Sequence, residues 1–281
     1  MTQPFGIRLA QAMDRHGPLC LGIDPHQRLL TDWGLNDSPE GLAAFSKIVI
    51  EAAAETPGVA ALKPQVALYE RFGSAGFAVL EQTLSFAREA NILTIADAKR
   101  GDIGSTMQGY ASAWLADESA LAADAVTLSP YLGYESLRPA IDLAVSNHRG
   151  VFVLALTSNP EGASVQHLGT PDDSVAKRIV DACAVDNSGA AGRFGSVGLV
   201  VGATVPDQAE ALGIDLAAAH GPILAPGYGS QGARVLDIRK GFGPAWPSVL
   251  VNSSRGILKH GPDTTALKNA IENARKDLNV K

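Results

Sequence analysis

Short apolar runs recur along the chain at 19–24, 59–63, 92–97, 125–129, 151–157, 197–202, 222–225 and 248–252. They are apolar throughout rather than alternating, so each predicts a strand covered on both faces, as in parallel sheets. Between them lie segments rich in Ala, Leu and Glu with helical spacing, at 41–55, 70–90, 109–122 and 174–187. Ser38 offers a cap and Pro39 suits a first helical position, while Asp263 offers a similar cap for a last helix reaching about Leu278.

Strand and helix alternating eight times within 281 residues predict an α/β chain. The expected architecture is a single (β/α)8 TIM barrel over 1–281 rather than a doubly wound sheet. No linker, tandem repeat or low-complexity stretch interrupts it. Segments 25–40 and 159–173 read as enlarged loops after the first and fifth strands. In a barrel both sit on the C-terminal face, where loops build active sites.

The chain is 46% hydrophobic and 19% charged, which supplies ample material for a large core. Its net charge of -6 is spread out and no Lys/Arg run occurs, so a nucleic-acid track is not expected. A small anion held by a few local cations remains compatible with that field. Arg8, Asp14 and Arg15 interrupt the first 17 residues, which therefore do not read as a signal peptide. The apolar runs are too short to cross a bilayer, and a soluble chain with no membrane partner is expected. Cys20 and Cys183 read as two buried free thiols, which suits a reducing, cytoplasmic setting.

Several apolar runs end in polar groups: Asp24, Lys63, Asp97 with Lys99, Ser129, Ser158, and Ser253 with Ser254 and Arg255. Strand ends are often simply wet, but in a barrel these ends converge on one rim. Side chains two apart on a strand share a face, so Asp97 and Lys99 point into the same space. Asp102, following Gly101, can curl back toward them or toward another subunit. A Schiff-base lysine must be neutral, whereas flanking carboxylates favour the ammonium form. At ~4 Å and an effective dielectric of ~20, each opposite charge contributes a few kcal/mol. Lys99 is thus expected to donate a proton rather than attack a carbonyl. No histidine stands at ligand spacing near Asp97 and Asp102, so no metal is expected there. The six histidines are scattered, and only His26, just after the first strand, sits near the rim.

The other end of the rim carries Pro226-Gly227-Tyr228-Gly229-Ser230-Gln231-Gly232 after the seventh strand and Ser253-Ser254-Arg255-Gly256 after the eighth. Loops at these two places bind phosphate in many barrels, through exposed N–H groups and, here, Arg255. The glycines also suit a lid with Gln231 at its tip.

At these residues the sequence resembles the orotidine 5'-phosphate decarboxylases, in particular the longer bacterial, type 2 subgroup. The family's D-x-K-x-x-D signature reads Asp97-Ala98-Lys99-Arg100-Gly101-Asp102 and continues into Ile103-Gly104-Ser105-Thr106. Leu21-Gly22-Ile23-Asp24, Leu62-Lys63-Pro64-Gln65, Thr157-Ser158-Asn159-Pro160 and the two glycine-rich loops agree as well, in order, over about 19–258.

The resemblance implies conversion of orotidine 5'-monophosphate to UMP and CO2, the last step of pyrimidine nucleotide synthesis, without metal or organic cofactor. It implies that Lys99 protonates C6, that Asp97 lies beside the departing carboxylate, and that Lys63 and Asp102 complete the charge array. Asp24 and Lys63 would hold the ribose hydroxyls, Ser158 the pyrimidine amide, and Gln231 and Arg255 the phosphate. Ile103, Pro226, Gly232 and Ser254 join the substrate-binding set. A homodimer follows by the same analogy, with Asp102 and Thr106 acting across its interface. Three alternatives stay open. They are a Mg2+-dependent sugar-phosphate lyase of the same superfamily (3-keto-gulonate 6-phosphate decarboxylase or hexulose-phosphate synthase type), a class I aldolase, and a non-catalytic phosphate-binding barrel.

Overall fold

The computed structural model describes residues 3–229 and 234–279. Eight parallel strands close into one barrel in sequence order: β1 (Leu19–Ile23), β2 (Ala61–Pro64), β3 (Leu93–Arg100), β4 (Ala125–Leu128), β5 (Gly150–Leu156), β6 (Val197–Val201), β7 (Ile223–Pro226) and β8 (Val249–Ser253). The chain is therefore the expected (β/α)8 barrel, with strand limits within a few residues of the apolar runs. The ring closes where β1 pairs with β8, Cys20 lying opposite Asn252 and Leu21 opposite Ser253.

Two separate cores explain why the strands are apolar on both faces. One cluster takes a residue from every strand: Cys20, Ala61, Ile95, Ala125, Phe152, Val200, Leu224 and Leu250. These fill the barrel. The opposite strand faces, with residues such as Leu21, Leu62, Val126 and Leu199, pack against the surrounding helices.

The N-terminal helix Phe5–His16 has no counterpart in the sequence-based expectation, yet it closes the floor of the barrel. Phe5, Leu9 and Met13 join the interior cluster. The Phe5 ring meets Phe152 edge-on at 6.0 Å, and a Cβ on Gly150 would lie 2.2 Å from that ring. The missed signal was the spacing of four between those three apolar residues.

Two other helices differ from expectation for local reasons. The stretch 70–90 is divided into Ala67–Glu70 and Gly73–Glu89, with Gly73 at φ +59 marking the break. The helix expected at 109–122 runs instead over Gly104–Leu115. Gly104 takes φ +52, which lets the chain turn from the extended Ile103 straight into a helix. At its other end Asn147 Nδ2 donates to the Leu115 carbonyl, terminating it before 116–122. The Ser38 and Asp263 caps form as expected, accepting from Gly41 N and Ala266 N. Among the described residues no helix is long and apolar enough to cross a membrane.

Candidate active site

The C-terminal ends of the strands surround a cavity of about 700 Å³. Asp24, Lys63, Asp97 and Lys99 line one side, Ser158 stands on the β5 loop, and Pro226, Ser254 and Arg255 line the side formed by β7 and β8. Gly22 makes room for this arrangement, because a Cβ there would sit 2.0 Å from Ser254 Oγ. Two strand-end residues noted in the sequence, Ser129 and Ser253, do not line the cavity.

Asp97 is the hub. It is 9% exposed and its two oxygens accept from donors on three strands. Lys63 Nζ donates to Oδ2 at 2.8 Å, and Lys99 Nζ to Oδ1 at 2.5 Å. Thr127 on β4 donates to Oδ1 at 3.0 Å. The Gln65 carboxamide, with its nitrogen turned toward Asp97, reaches Oδ2 at 3.2 Å and the Asp97 carbonyl at 2.9 Å. Burial alone would push the Asp97 carboxyl up, but the ammonium groups of Lys63 and Lys99 outweigh it and hold the group well below the ordinary carboxylate range. Lys63 is 3% exposed. Burial opposes its charge, yet Asp97 and then Asp24 raise it above the ordinary lysine range. Beneath them, burial pushes the Cys20 thiol up to about 12. The buried pair is thus ionised on both sides at neutral pH.

Lys99 and Asp97 do share a space, though simple strand alternation is only part of the reason. β3 pairs Ala96 with Val126 and next Arg100 with Leu128, so three residues of β3 face one of β4. Lys99 sits in this bulge at φ +48, a left-handed conformation rare for a residue with a Cβ. Its backbone N–H donates to Thr127 Oγ at 2.9 Å. The Lys99 side chain is 46% exposed and faces the cavity, whereas Lys63 is sealed in its wall.

Among the described residues two carboxyl or amide oxygens are buried without a hydrogen-bond partner, Asp24 Oδ1 and Asn252 Oδ1, and both residues line the cavity. Asp24 Oδ1 lies 3.9 Å from Lys63 Nζ. Unsatisfied buried acceptors are costly, and at a cavity wall they mark places where a ligand donor completes the bonding. Arg255 is exposed at the rim and forms no ion pair with the described residues, so its guanidinium can meet an anion. A second cavity of about 540 Å³ adjoins it, with Lys259 and His260 in its wall.

Asp102, Ile103 and Thr106 do not join this cavity within one chain. Asp102 Oδ1 accepts from the Ile103 N–H at 2.8 Å, and the Ile103 side chain is 61% exposed. Gln231 and Gly232 lie outside the described residues. Sequence reasoning gave no role to Gln65, although it closes the Leu62-Lys63-Pro64-Gln65 motif, nor to Thr127 or Asn252. A threonine or an asparagine at a strand end carries no signal of its own without knowledge of which face it occupies. Among the described residues no group of three or more His, Cys, Asp or Glu side chains is arranged to hold a metal.

The sequence model of the orotidine 5'-phosphate decarboxylase / HUMPS family matches residues 17–270. A protein of Streptomyces coelicolor named orotidine 5'-phosphate decarboxylase is 54% identical over 272 residues, covering 96% of this chain and 95% of that one. A protein of the same name from Corynebacterium glutamicum is 49% identical, covering 98% and 97%. A solved structure from Streptomyces avermitilis superposes with a TM-score of 0.93 at 52% identity, covering 99% of this chain and 95% of that one. The OMP decarboxylase of Leishmania donovani superposes at 0.76 with 27% identity, covering 99% and 100%. Joined to a barrel whose rim assembles Asp24, Lys63, Asp97 and Lys99, these matches establish that the chain belongs to the orotidine 5'-phosphate decarboxylase / HUMPS family.

Proposed function

We propose that this chain decarboxylates orotidine 5'-monophosphate to UMP and CO2, with Lys99 as the proton donor to C6. The observation that carries the reading is the Lys63–Asp97–Lys99 array, with one ammonium sealed in the wall and the other standing in the cavity. Breaking the C6–carboxylate bond leaves its electron pair on C6 as CO2 departs. That carbanion has no ring position onto which its charge is readily delocalised, so a preorganised cation aimed at C6 is the natural stabiliser. The Lys99 ammonium supplies both the field and the proton, and is left neutral until water restores it.

Asp97 is placed by this reading beside the substrate carboxylate, and the four groups that donate to it keep it ionised there. Asp24 and Lys63 take the ribose hydroxyls, which fits the unpartnered Asp24 Oδ1. Ser158 takes the pyrimidine amide. Arg255 and Gln231 take the phosphate, with Pro226, Gly232 and Ser254 around it. Phosphate binding remote from C6 then holds the base in register with Lys99. The reaction so drawn calls on no metal or organic cofactor.

We further propose a homodimer in which Asp102, Ile103 and Thr106 complete the partner's cavity. Among the described residues of its own chain Asp102 bonds only to the adjacent N–H, which leaves its carboxylate available. Ile103, next to it in the chain, and Tyr131, on the loop after β4, are 61% and 79% exposed and provide apolar surface for a partner to cover. The two free buried thiols suit a cytosolic setting. The test is the fall in absorbance when orotidine 5'-monophosphate is added to the purified, EDTA-treated protein. Turnover that survives the chelator supports the reading, and absence of turnover, or dependence on added Mg2+, overturns it.

A further inference from the structure

The bulge in β3 leaves Thr127 as the single β4 residue facing Asp97, Ala98 and Lys99. Its hydroxyl is 1% exposed with the rest of the residue and has two partners. The Lys99 N–H donates to it at 2.9 Å, so it acts there as acceptor. An ionised carboxylate can only accept, so the hydroxyl's one proton must point to Asp97 Oδ1, 3.0 Å away. The same Oδ1 receives the Lys99 ammonium at 2.5 Å.

From this geometry we infer that Thr127 is a positioning residue for proton transfer, which holds Lys99 in its left-handed backbone conformation and keeps Asp97 Oδ1 satisfied while the Lys99 ammonium leaves it for the substrate. The inference rests on the function proposed above. Three features support it. The Lys99 N–H has lost its place in the β3–β4 ladder, and the threonine hydroxyl replaces the missing carbonyl. A left-handed lysine persists only where its surroundings over-determine it, and Thr127 supplies one such constraint at the backbone itself. In addition, when the ammonium turns from Asp97 to C6, Oδ1 would lose its short partner. With Thr127 still donating, the carboxylate keeps one bond on that oxygen, and the turn is less costly.

Thr127→Val removes the hydroxyl while keeping β-branched shape. The expected result is a kcat lower by about 10- to 100-fold, the scale of one charge-assisted hydrogen bond, with KM changed less than about 3-fold. Exchange of the UMP C6 hydrogen with deuterium from solvent should slow in parallel, since it reads proton transfer without loss of CO2. Thr127→Ser should recover most of both rates, and Thr127→Cys, a near-isostere with a weak donor, should not. The Ser and Cys pair carries the test if the valine protein does not fold. A valine or cysteine variant within 2-fold of wild type overturns the inference. So does a loss shared equally by kcat, UMP affinity and the serine variant, which would mark a general packing defect. If the wild-type protein itself fails to turn over orotidine 5'-monophosphate, it is the proposed function that falls.

Discussion

Asp97→Asn separates the electrostatics of the array from its shape. In the native protein Lys63 is buried with Asp97 at 2.8 Å and Asp24 at 3.9 Å. Replacing the carboxylate by an amide leaves the sealed ammonium with only the longer of its two charge contacts. Removing one partner of a buried pair costs about 3–5 kcal/mol. The lower end applies here, because the amide oxygen still accepts from Lys63 and because Lys99, half-exposed, recovers much of its lost partner from water. The expected loss is therefore about 3 kcal/mol in urea unfolding at neutral pH.

The pH dependence is the sharper part. In the wild type the folded Asp97 pKa lies below its unfolded value, so its contribution is complete above the unfolded carboxylate range and fades as pH falls toward the folded value. The folded Lys63 pKa lies above its unfolded value, so its contribution is complete below the ordinary lysine range and fades only as pH rises through the folded value. Between about pH 5 and pH 9 this pair contributes no slope. In Asp97→Asn burial becomes the dominant influence on Lys63, and its folded pKa should drop below the unfolded one. The variant then has fewer protons bound in the native than in the unfolded state, and its stability rises as pH climbs from the lowered Lys63 value toward the ordinary lysine range. A loss under about 1 kcal/mol, or a variant as flat in pH as the wild type, would refute the buried-charge reasoning.

Other outcomes follow from single residues. Phe5→Ala empties the barrel floor and should cost about 3–5 kcal/mol of stability while leaving kcat within a few-fold, read by unfolding and by assay of the same sample. Arg255→Ala should raise KM by roughly 10- to 150-fold, matching a lost charge-assisted bond, and leave the affinity for unphosphorylated uridine unchanged. Lys99→Ala and Asp102→Ala, each inactive alone, should regain up to about a quarter of wild-type activity when refolded together, because a shared site pairs residues of two chains. No recovery would place Asp102 and Lys99 in one chain's site.

Much of this molecule is legible in its sequence because burial on both faces writes parallel strands as unbroken apolar runs. The same logic located the polar interruptions Lys63, Asp97 and Lys99, since charge at the end of such a run must be paired or useful. What stayed hidden depends on contacts that periodicity does not encode. The Phe5–His16 helix lies ahead of the first strand, and its only mark in the sequence is the spacing of four between Phe5, Leu9 and Met13, whose contact with the barrel floor no periodicity encodes. Helix Gly104–Leu115 begins earlier than its composition indicates because one glycine takes a left-handed turn. Thr127 is an ordinary strand residue by propensity, and only the β3 bulge brings its hydroxyl to both Asp97 and Lys99.

The most direct test is Lys99→Ala assayed in heavy water against UMP binding by calorimetry. Wild-type protein should release UMP labelled with deuterium at C6. The variant should bind UMP within about 10-fold of wild type while its turnover falls by about 10,000-fold or more, beyond the upper range of a lost general acid because the stabilising charge goes with the proton. Turnover close to wild type in the variant would contradict the assignment of Lys99 as the group that protonates C6.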